Sequence, residues 1–174
     1  AFRREYPKVD FEIRPGNFYA EIEDLTADGK VDIGFLRLPA RRGLESVFLE
    51  ADRMMAVMPE GYPLEKLGGE PMILLGSGFD DDINEIFGEN GIKPSVSFVT
   101  WDDSSLMAMV ESGLGISILP ELVLRRSPYR LVKKELSRPY FRKLGVVTKD
   151  MKNLSPAARR FLDFLDYRNC DTIS

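Results

Sequence analysis

Two side chains that enzymes often use for acid–base or nucleophilic chemistry, those of histidine and cysteine, are absent or nearly absent from this sequence. Histidine is absent from the 174 residues, and the single cysteine is Cys170, near the C-terminus. His-based triads and His-ligated metal sites are therefore excluded for this chain. The carboxylate run FDDDINE (79–85) could hold a hard cation, but acidic residues in the first turn of a helix explain it better. We expect no catalytic residue, no metal, no cofactor and no enzymatic activity.

Groups that could bind a small molecule occur instead where apolar segments end. Arg37 follows VDIGFL, and a guanidinium suits a carboxylate. Trp101 and Phe79 could form an apolar wall. Side-chain hydrogen bonds could come from Asn17, Ser77 and Thr100, while glycines and helix N-termini would offer backbone amides to an anionic group. These residue types predict a small-molecule pocket and slightly favour an anionic ligand.

Each of these residues also has a purely structural explanation. Arg37 could be solvated or paired with an acidic neighbour, Trp101 could belong to the core, and the two hydroxyl residues could cap helices. In ESGLGISILPE, Gly113 and Gly115 could be a helix C-cap and a point of tight packing. The residues alone leave both explanations open.

The periodicity of apolar residues predicts strands that alternate with helices. The chain opens on a helix end at AFRREYP, closed by Pro7. We predict strands at 8–16, 31–36, 70–78, 93–101, 114–120 and 141–149, and helices at 17–30 with Asn17 as N-cap, 80–91, 102–113, 121–127 and 155–169. This alternation is typical of an α/β fold with parallel sheets, at whose carboxyl ends ligands bind.

One long segment breaks the alternation. Residues 44–64 read as two extended segments without a helix, and the strand that begins at Phe141 could return beside them. Two such crossings would join two lobes and form a hinge. We therefore expect a first lobe of residues 1–50 and 149–174 and a second lobe of residues 51–148.

Four blocks, in order, resemble the effector-binding domain of LysR-type transcriptional regulators. They are GKVDIGFLR, FLEADRMMAVMPEGYPL, EPMILLGSGF and DDSSLMAMVESGLGISILPELV, and SPAARRFLDFL matches the family's closing helix. The resemblance covers nearly the whole chain but begins after the family's DNA-binding region and the first strand of its effector domain. It implies two Rossmann-like lobes joined by two crossing strands, a type II periplasmic-binding-protein-like fold.

The resemblance also implies a function and a site. In this family a small effector, often an anion or an aromatic acid, binds between the lobes and alters how the oligomer grips DNA. Carried over by position, the ligand-binding residues would be Gly16, Asn17, Phe35, Arg37, Ser77, Phe79, Thr100 and Trp101. We expect a homodimer or homotetramer, with DNA bound only through the absent N-terminal helix-turn-helix.

Composition is consistent with that expectation. The net charge of −4 argues against a broad nucleic-acid surface, and no apolar run is long enough to span a membrane. We expect a cytoplasmic protein. Two alternatives share the two-lobed plan: a solute-binding protein of a transport system and, with less support, an enzyme.

Overall fold

Short strands and helices alternate through most of the chain. The computed structural model describes residues 1–16, 18–63, 67–76 and 80–165. The helices in these residues are α1 Phe2–Glu5, α2 Tyr19–Ala27, α3 Asp80–Asn90, α4 Asp103–Glu111, α5 Glu121–Leu124 and α6 Pro156–Phe164. The strands are β1 Gly34–Arg37, β2 Glu45–Pro59, β3 Pro71–Leu75, β4 Ser95–Thr100, β5 Ser117–Pro120, β6 Leu131–Glu135 and β7 Phe141–Thr148.

Local sequence signals fix the ends of the later helices. The Asp102 carboxylate accepts a hydrogen bond from the backbone N–H of Ser105 and caps α4. Ser155 caps α6 in the same way, with Pro156 at the first helical position. Gly113 follows α4 at a φ of 79°, a left-handed conformation that glycine adopts without strain. Gly113 therefore ends α4 in the position directly after the C-cap residue Ser112, in agreement with the structural explanation offered for it.

The contacts divide the chain into two compact units. Unit 1 comprises Ala1–Ala51 and Lys143–Ser174, and unit 2 comprises Asp52–Arg142. Strands β2 and β7 each contain residues of both units, so the chain passes between the units within these two strands.

Unit 2 is built around the second half of β2. This half pairs antiparallel with β5, from Met54 opposite Pro120, and with β6, up to Pro59 opposite Leu131. Its side chains alternate between two cores. One core contains Met54, Met58 and the α3 residues Ile83, Ile86 and Phe87. The other contains Met55, Val57 and the α4 residues Leu106, Met107 and Val110. Helical side chains thus contribute to both cores, which explains why β2 reads as a nearly continuous apolar run.

A parallel pair of strands completes unit 2. β3 and β4 run parallel, from Pro71 opposite Ser95 to Leu75 opposite Thr100. The chain before β5 joins β3 where Ile116 N donates to Pro71 O over 2.9 Å. A Cβ on Gly115 would lie 2.5 Å from the same carbonyl oxygen. Gly115 is therefore the point of tight packing that the sequence offered as one explanation.

Unit 1 contains a short antiparallel pair and an aromatic cluster. β1 pairs with β7, from Gly34 opposite Val147 to Arg37 opposite Leu144. Helix α2 packs so closely on β1 that a Cβ on Gly34 would lie 2.7 Å from the Thr26 hydroxyl oxygen. The ring of Phe2 contacts the rings of Tyr6, Phe11, Phe161 and Phe164. These contacts hold the first and last helices of the described chain together.

Three expectations about the elements need correction. Residues 9–16 form no strand, and Phe11 and Ile13 are exposed, because none of the described strands lies beside them to form a ladder. The sheets are not wholly parallel, since β1 pairs antiparallel with β7, and β2 pairs antiparallel with both β5 and β6. One fifteen-residue strand, Glu45–Pro59, takes the place of the two extended segments that were predicted, and β6 was not predicted.

We expect Gly115→Ala to lower the free energy of unfolding by about 1–3 kcal/mol, because the new methyl group must displace backbone. Gly88→Ala is the matched control: it lies within α3 with open space around it, so stability should stay equal or rise by up to about 1 kcal/mol. Urea denaturation of both variants measures the difference. Equal stability of the two would contradict the close approach of Gly115 to β3.

Candidate functional site

The carboxyl ends of β3 and β4 meet at one edge of unit 2. Leu75 and Thr100 end the two parallel strands opposite each other, and Gly76 N donates to Thr100 O over 2.7 Å. Parallel strands bring the residues that follow them to the same edge, which is where open α/β sheets bind ligands. Thr100, one of the predicted ligand contacts, is half-buried at this edge.

Trp101 lies directly on this edge. Its side chain is 72% exposed, so it is not a core residue. Three atoms of its six-membered ring lie 3.0–3.1 Å from the position that a Cβ on Gly76 would occupy. Only glycine at position 76 lets the indole approach the backbone so closely. The indole is thereby held against the end of β3 while most of its surface is open, as a flat apolar wall requires.

Two neighbouring carboxylates follow Trp101, and their environments differ. Hydrogen bonds from the side chain and backbone N–H of Ser105 lower the pKa of Asp102. Desolvation raises the pKa of Asp103, against the lowering effect of the Arg142 cation, and the Asp102 charge raises it further. Among the described residues, Asp103 Oδ1 is buried without a hydrogen-bond partner. The α4 N-terminus therefore already carries a bound carboxylate, which limits what it can offer an anionic ligand.

Three predicted contacts belong to unit 1. Gly16 lies against α2, where a Cβ would be 2.5 Å from Ile22 Cγ1. Phe35 is about half exposed, and its ring centroid lies 6.4 Å from that of Phe161. Arg37 ends β1 opposite Leu144 and is half-buried. Gly16 thus lets the backbone pass close to the Ile22 side chain, whereas Phe35 and Arg37 stand at or near the end of a strand.

The remaining predicted contacts, Asn17, Ser77 and Phe79, lie outside the described residues. Of the eight predicted residues, the structure brings Thr100 and Trp101 together in unit 2. Gly16, Phe35 and Arg37 belong to unit 1. As contacts to a ligand, all eight remain predictions.

Unit 2 also contains a buried ion pair whose two residues are not among those singled out from the sequence. Arg142 donates from Nε and Nη2 to Asp52 Oδ2 over 2.9 and 2.7 Å. Asp52 is 2% exposed and Arg142 7%. Asp52 lies two residues before the apolar run MMAVM, but nothing in the sequence pairs it with a residue 90 positions away.

The described residues contain neither a cluster of metal ligands nor a membrane-spanning helix. No group of three or more Cys, His, Asp or Glu side chains in them could hold a metal ion. None of the helices they form has the length and apolar character needed to cross a bilayer.

We expect Asp103→Asn to raise the free energy of unfolding near neutral pH. A carboxyl whose folded-state pKa is raised binds its proton more tightly in the folded protein, so stability falls as pH rises from the unfolded pKa through the folded one. Asp103→Asn should remove that fall. Denaturation with urea between about pH 3 and about pH 8 measures it.

Asp102→Asn supplies a control of opposite sign. The pKa of Asp102 is lowered, so its stabilising contribution is present above the unfolded pKa and is lost as pH falls through the folded pKa. The Asn variant should lose part of the stability that wild type has at neutral pH. If the two variants changed the pH dependence of the unfolding free energy in the same direction, the different environments of the two carboxyls would be contradicted.

Comparison with known proteins identifies the family. The family model described as "LysR substrate binding domain" matches residues 1–169. The transcriptional activator CmpR of Synechocystis sp. is 30% identical over 179 residues, which cover 94% of this chain and 58% of that protein. The chain spans about three fifths of the length of the curated relatives it matches.

Solved structures agree with this match. HinK, a LysR family transcriptional regulator from Pseudomonas aeruginosa, has a TM-score of 0.81 at 26% identity, covering 94% of this chain and 61% of HinK. The regulatory domain of CcmR from Synechocystis, in complex with 2-PG, has a TM-score of 0.86 at 17% identity, covering 99% and 89% of the two chains. The predicted fold, type II periplasmic-binding-protein-like α/β, is confirmed, and the chain belongs to the family of LysR substrate-binding domains.

Proposed function

We propose that this chain is the effector-sensing domain of a LysR-type transcriptional regulator. The family match over residues 1–169 is the observation that carries this proposal. The regulator would act in the cytoplasm and bind DNA through a helix-turn-helix that lies outside this chain. The domain would bind a small molecule without converting it, and this distinguishes it from an enzyme on the same scaffold. It would serve regulation and not transport, the alternative that the sequence left open.

The carboxyl ends of the strands are the surface we propose for the effector. In unit 2, Trp101 would supply a flat apolar contact and Thr100 a hydroxyl, with Ser77 and Phe79 on the segment that follows β3. In unit 1, Gly16, Asn17, Phe35 and Arg37 would contribute. Arg37 would pair with a carboxylate of the effector, since a guanidinium can donate two parallel hydrogen bonds to it. We therefore propose an anionic effector.

Sensing would operate by a shift between conformations. An effector changes such an equilibrium only by the difference between its affinities for the two states. Effector contacts would supply that difference if their number changed between the two states. The same shift would then alter how the oligomer holds DNA.

We propose that the domain forms at least a homodimer and that β4 lies in the interface. β4 is paired only with β3 among the described strands, and Val96, Phe98 and Val99 on it are exposed. An exposed apolar edge strand without Lys or Pro offers unpaired backbone groups to another chain. An isologous contact would bury the same residues in both copies.

Titration with 2-PG, benzoate and succinate tests effector binding. Trp101 is the only tryptophan of the chain, so intrinsic fluorescence reports on this one strand end. We expect a saturable change in emission with at least one anion, and we expect the recovered ligand to have unchanged mass. Arg37→Ala should lower the affinity for a carboxylate ligand by about tenfold without unfolding the domain.

Arg42→Ala is the control for charge, because Arg42 forms an exposed ion pair with Asp24 in the same unit. Its affinity for the anion should equal that of wild type. Unchanged affinity of Arg37→Ala by calorimetry would reject the role of Arg37. Effector sensing at this strand end would be contradicted by two results together. The emission of Trp101 would not change with any of the three anions, and the native mass spectrum of the purified protein would show no bound small molecule.

Val99→Lys should convert the dimer into a monomer, because it places a charge on the exposed apolar edge of β4. Val132→Lys is the matched control, since Val132 is an exposed valine on β6. Size-exclusion chromatography with light scattering measures both masses. A dimer that survives Val99→Lys, or a wild-type monomer at high concentration, would exclude β4 as the interface.

A further inference from the structure

The boundary between the two units is marked by a buried pair of charges. Strand β2 enters unit 2 at Asp52, and β7 leaves it at Arg142. These two residues are the first and last of unit 2, and each is almost fully buried. Both crossing strands therefore carry a charged side chain where they meet unit 2.

The geometry of the pair uses both oxygens of one carboxylate. Asp52 Oδ2 accepts hydrogen bonds from Nε and Nη2 of Arg142, over 2.9 and 2.7 Å. Asp52 Oδ1 accepts a hydrogen bond from the backbone N–H of Leu122 over 3.0 Å. Leu122 lies in the first turn of α5, which begins directly after the last residue of β5. A single carboxylate thus joins β2, β7 and the β5–α5 turn.

Stability alone does not account for such a pair. Taking two charges out of water has a desolvation cost that their attraction roughly offsets, and apolar residues of similar volume often replace a buried pair without loss. What apolar contacts do not supply is direction. Three hydrogen bonds on one carboxylate fix the positions of two strands and a helix relative to one another.

We propose that Asp52 and Arg142 are positioning residues of effector sensing, which clamp both crossing strands to the β5–α5 turn. The inference rests on the proposed function, because the carboxyl end of β5 is one of the strand ends at which an effector is expected. A displacement of that turn would reach both strands together through Asp52. Without the clamp, each strand would bend independently at the boundary.

Pairs of spin labels measure this bending without any ligand. Cysteines replace Lys30 in unit 1 and Lys93 in unit 2, both exposed, in a Cys170→Ser background. In Asp52→Leu/Arg142→Met, we expect the distribution of interspin distances to broaden by about twofold in the folded variant, whose melting temperature falls because the buried Asp103 carboxyl loses the nearby Arg142 cation. An unchanged width in the folded variant overturns the clamp.

The control removes a neighbouring ion pair that does not join the crossing strands to α5. Arg53 on β2 pairs with Glu135 on β6, and both are more exposed than the clamp. Arg53→Met/Glu135→Leu should leave the width unchanged. An equal broadening in this control would show that any ion pair near the boundary has the effect, and it would overturn the assignment to Asp52 and Arg142.

Hydrogen exchange at the Leu122 amide tests the hydrogen bond between α5 and Asp52. Asp52→Leu/Arg142→Met removes the acceptor, so exchange at Leu122 should accelerate by about tenfold. Asp52→Asn keeps an oxygen for Leu122 but loses the charge, so it should restore protection of Leu122 and still broaden the interspin distances. Asp52→Asn also serves if the double variant does not fold.

Each outcome separates the clamp from the proposed function. Spin-label distances and amide exchange are measured without effector. A failure to bind 2-PG, benzoate or succinate therefore does not change them. Unchanged distances and unchanged Leu122 exchange overturn the clamp and leave effector sensing standing. Broadened distances with no effector response uphold the clamp as a mechanical device and count against sensing at the strand end.

Discussion

One strand, β2, must satisfy its backbone on both edges while its side chains are buried on both faces. In unit 2 it pairs with β5 and with β6, and its residues alternate between the core that contains α3 residues and the core that contains α4 residues. A buried N–H or C=O group cannot form a hydrogen bond with water. The backbone groups of β2 therefore depend on the neighbouring strands for their hydrogen bonds. Separating β5 would expose unpaired backbone of β2 and open both cores, because Ile118 belongs to one core and Leu119 to the other.

The position of Trp101 follows from the same arrangement. The chain before β5 joins β3 through the close approach of Gly115 to Pro71, and β3 fixes β4 in parallel register. The register brings Gly76 opposite the end of β4, where the indole of Trp101 rests on it. An exposed aromatic side chain is held in one place because two glycines leave room for backbone and ring. The site thus depends on positions that carry no side chain.

Local signals made much of this fold predictable, and long-range pairing made the rest unpredictable. The caps of α4 and α6 each join residues that lie within four positions of one another in the sequence. The inward residues of α3 follow helical periodicity. The segment LVKKE has no apolar alternation, so β6 is a strand only because β2 supplies its partner. Residues 9–16 show the converse: perfect alternation forms no strand where no described strand lies beside it. For the candidate site, the sequence predicted that Thr100 and Trp101 lie at the end of a strand, where the structure has them, whereas Asp52 and Arg142 share no local pattern.

A charged pair at the unit boundary makes sense for a protein that must move in a defined way. A sensor's conformations differ by only a few kcal/mol, so a ligand of ordinary affinity can shift their populations. Such a shift is useful only if the parts that move do so together. If the two strands bent independently, a displacement at the effector end of unit 2 would not be passed on to both of them. Apolar packing is non-directional and tolerates sliding, but three hydrogen bonds to the Asp52 carboxylate do not. The buried charges therefore contribute less to whether unit 2 folds than to which of its elements move as one.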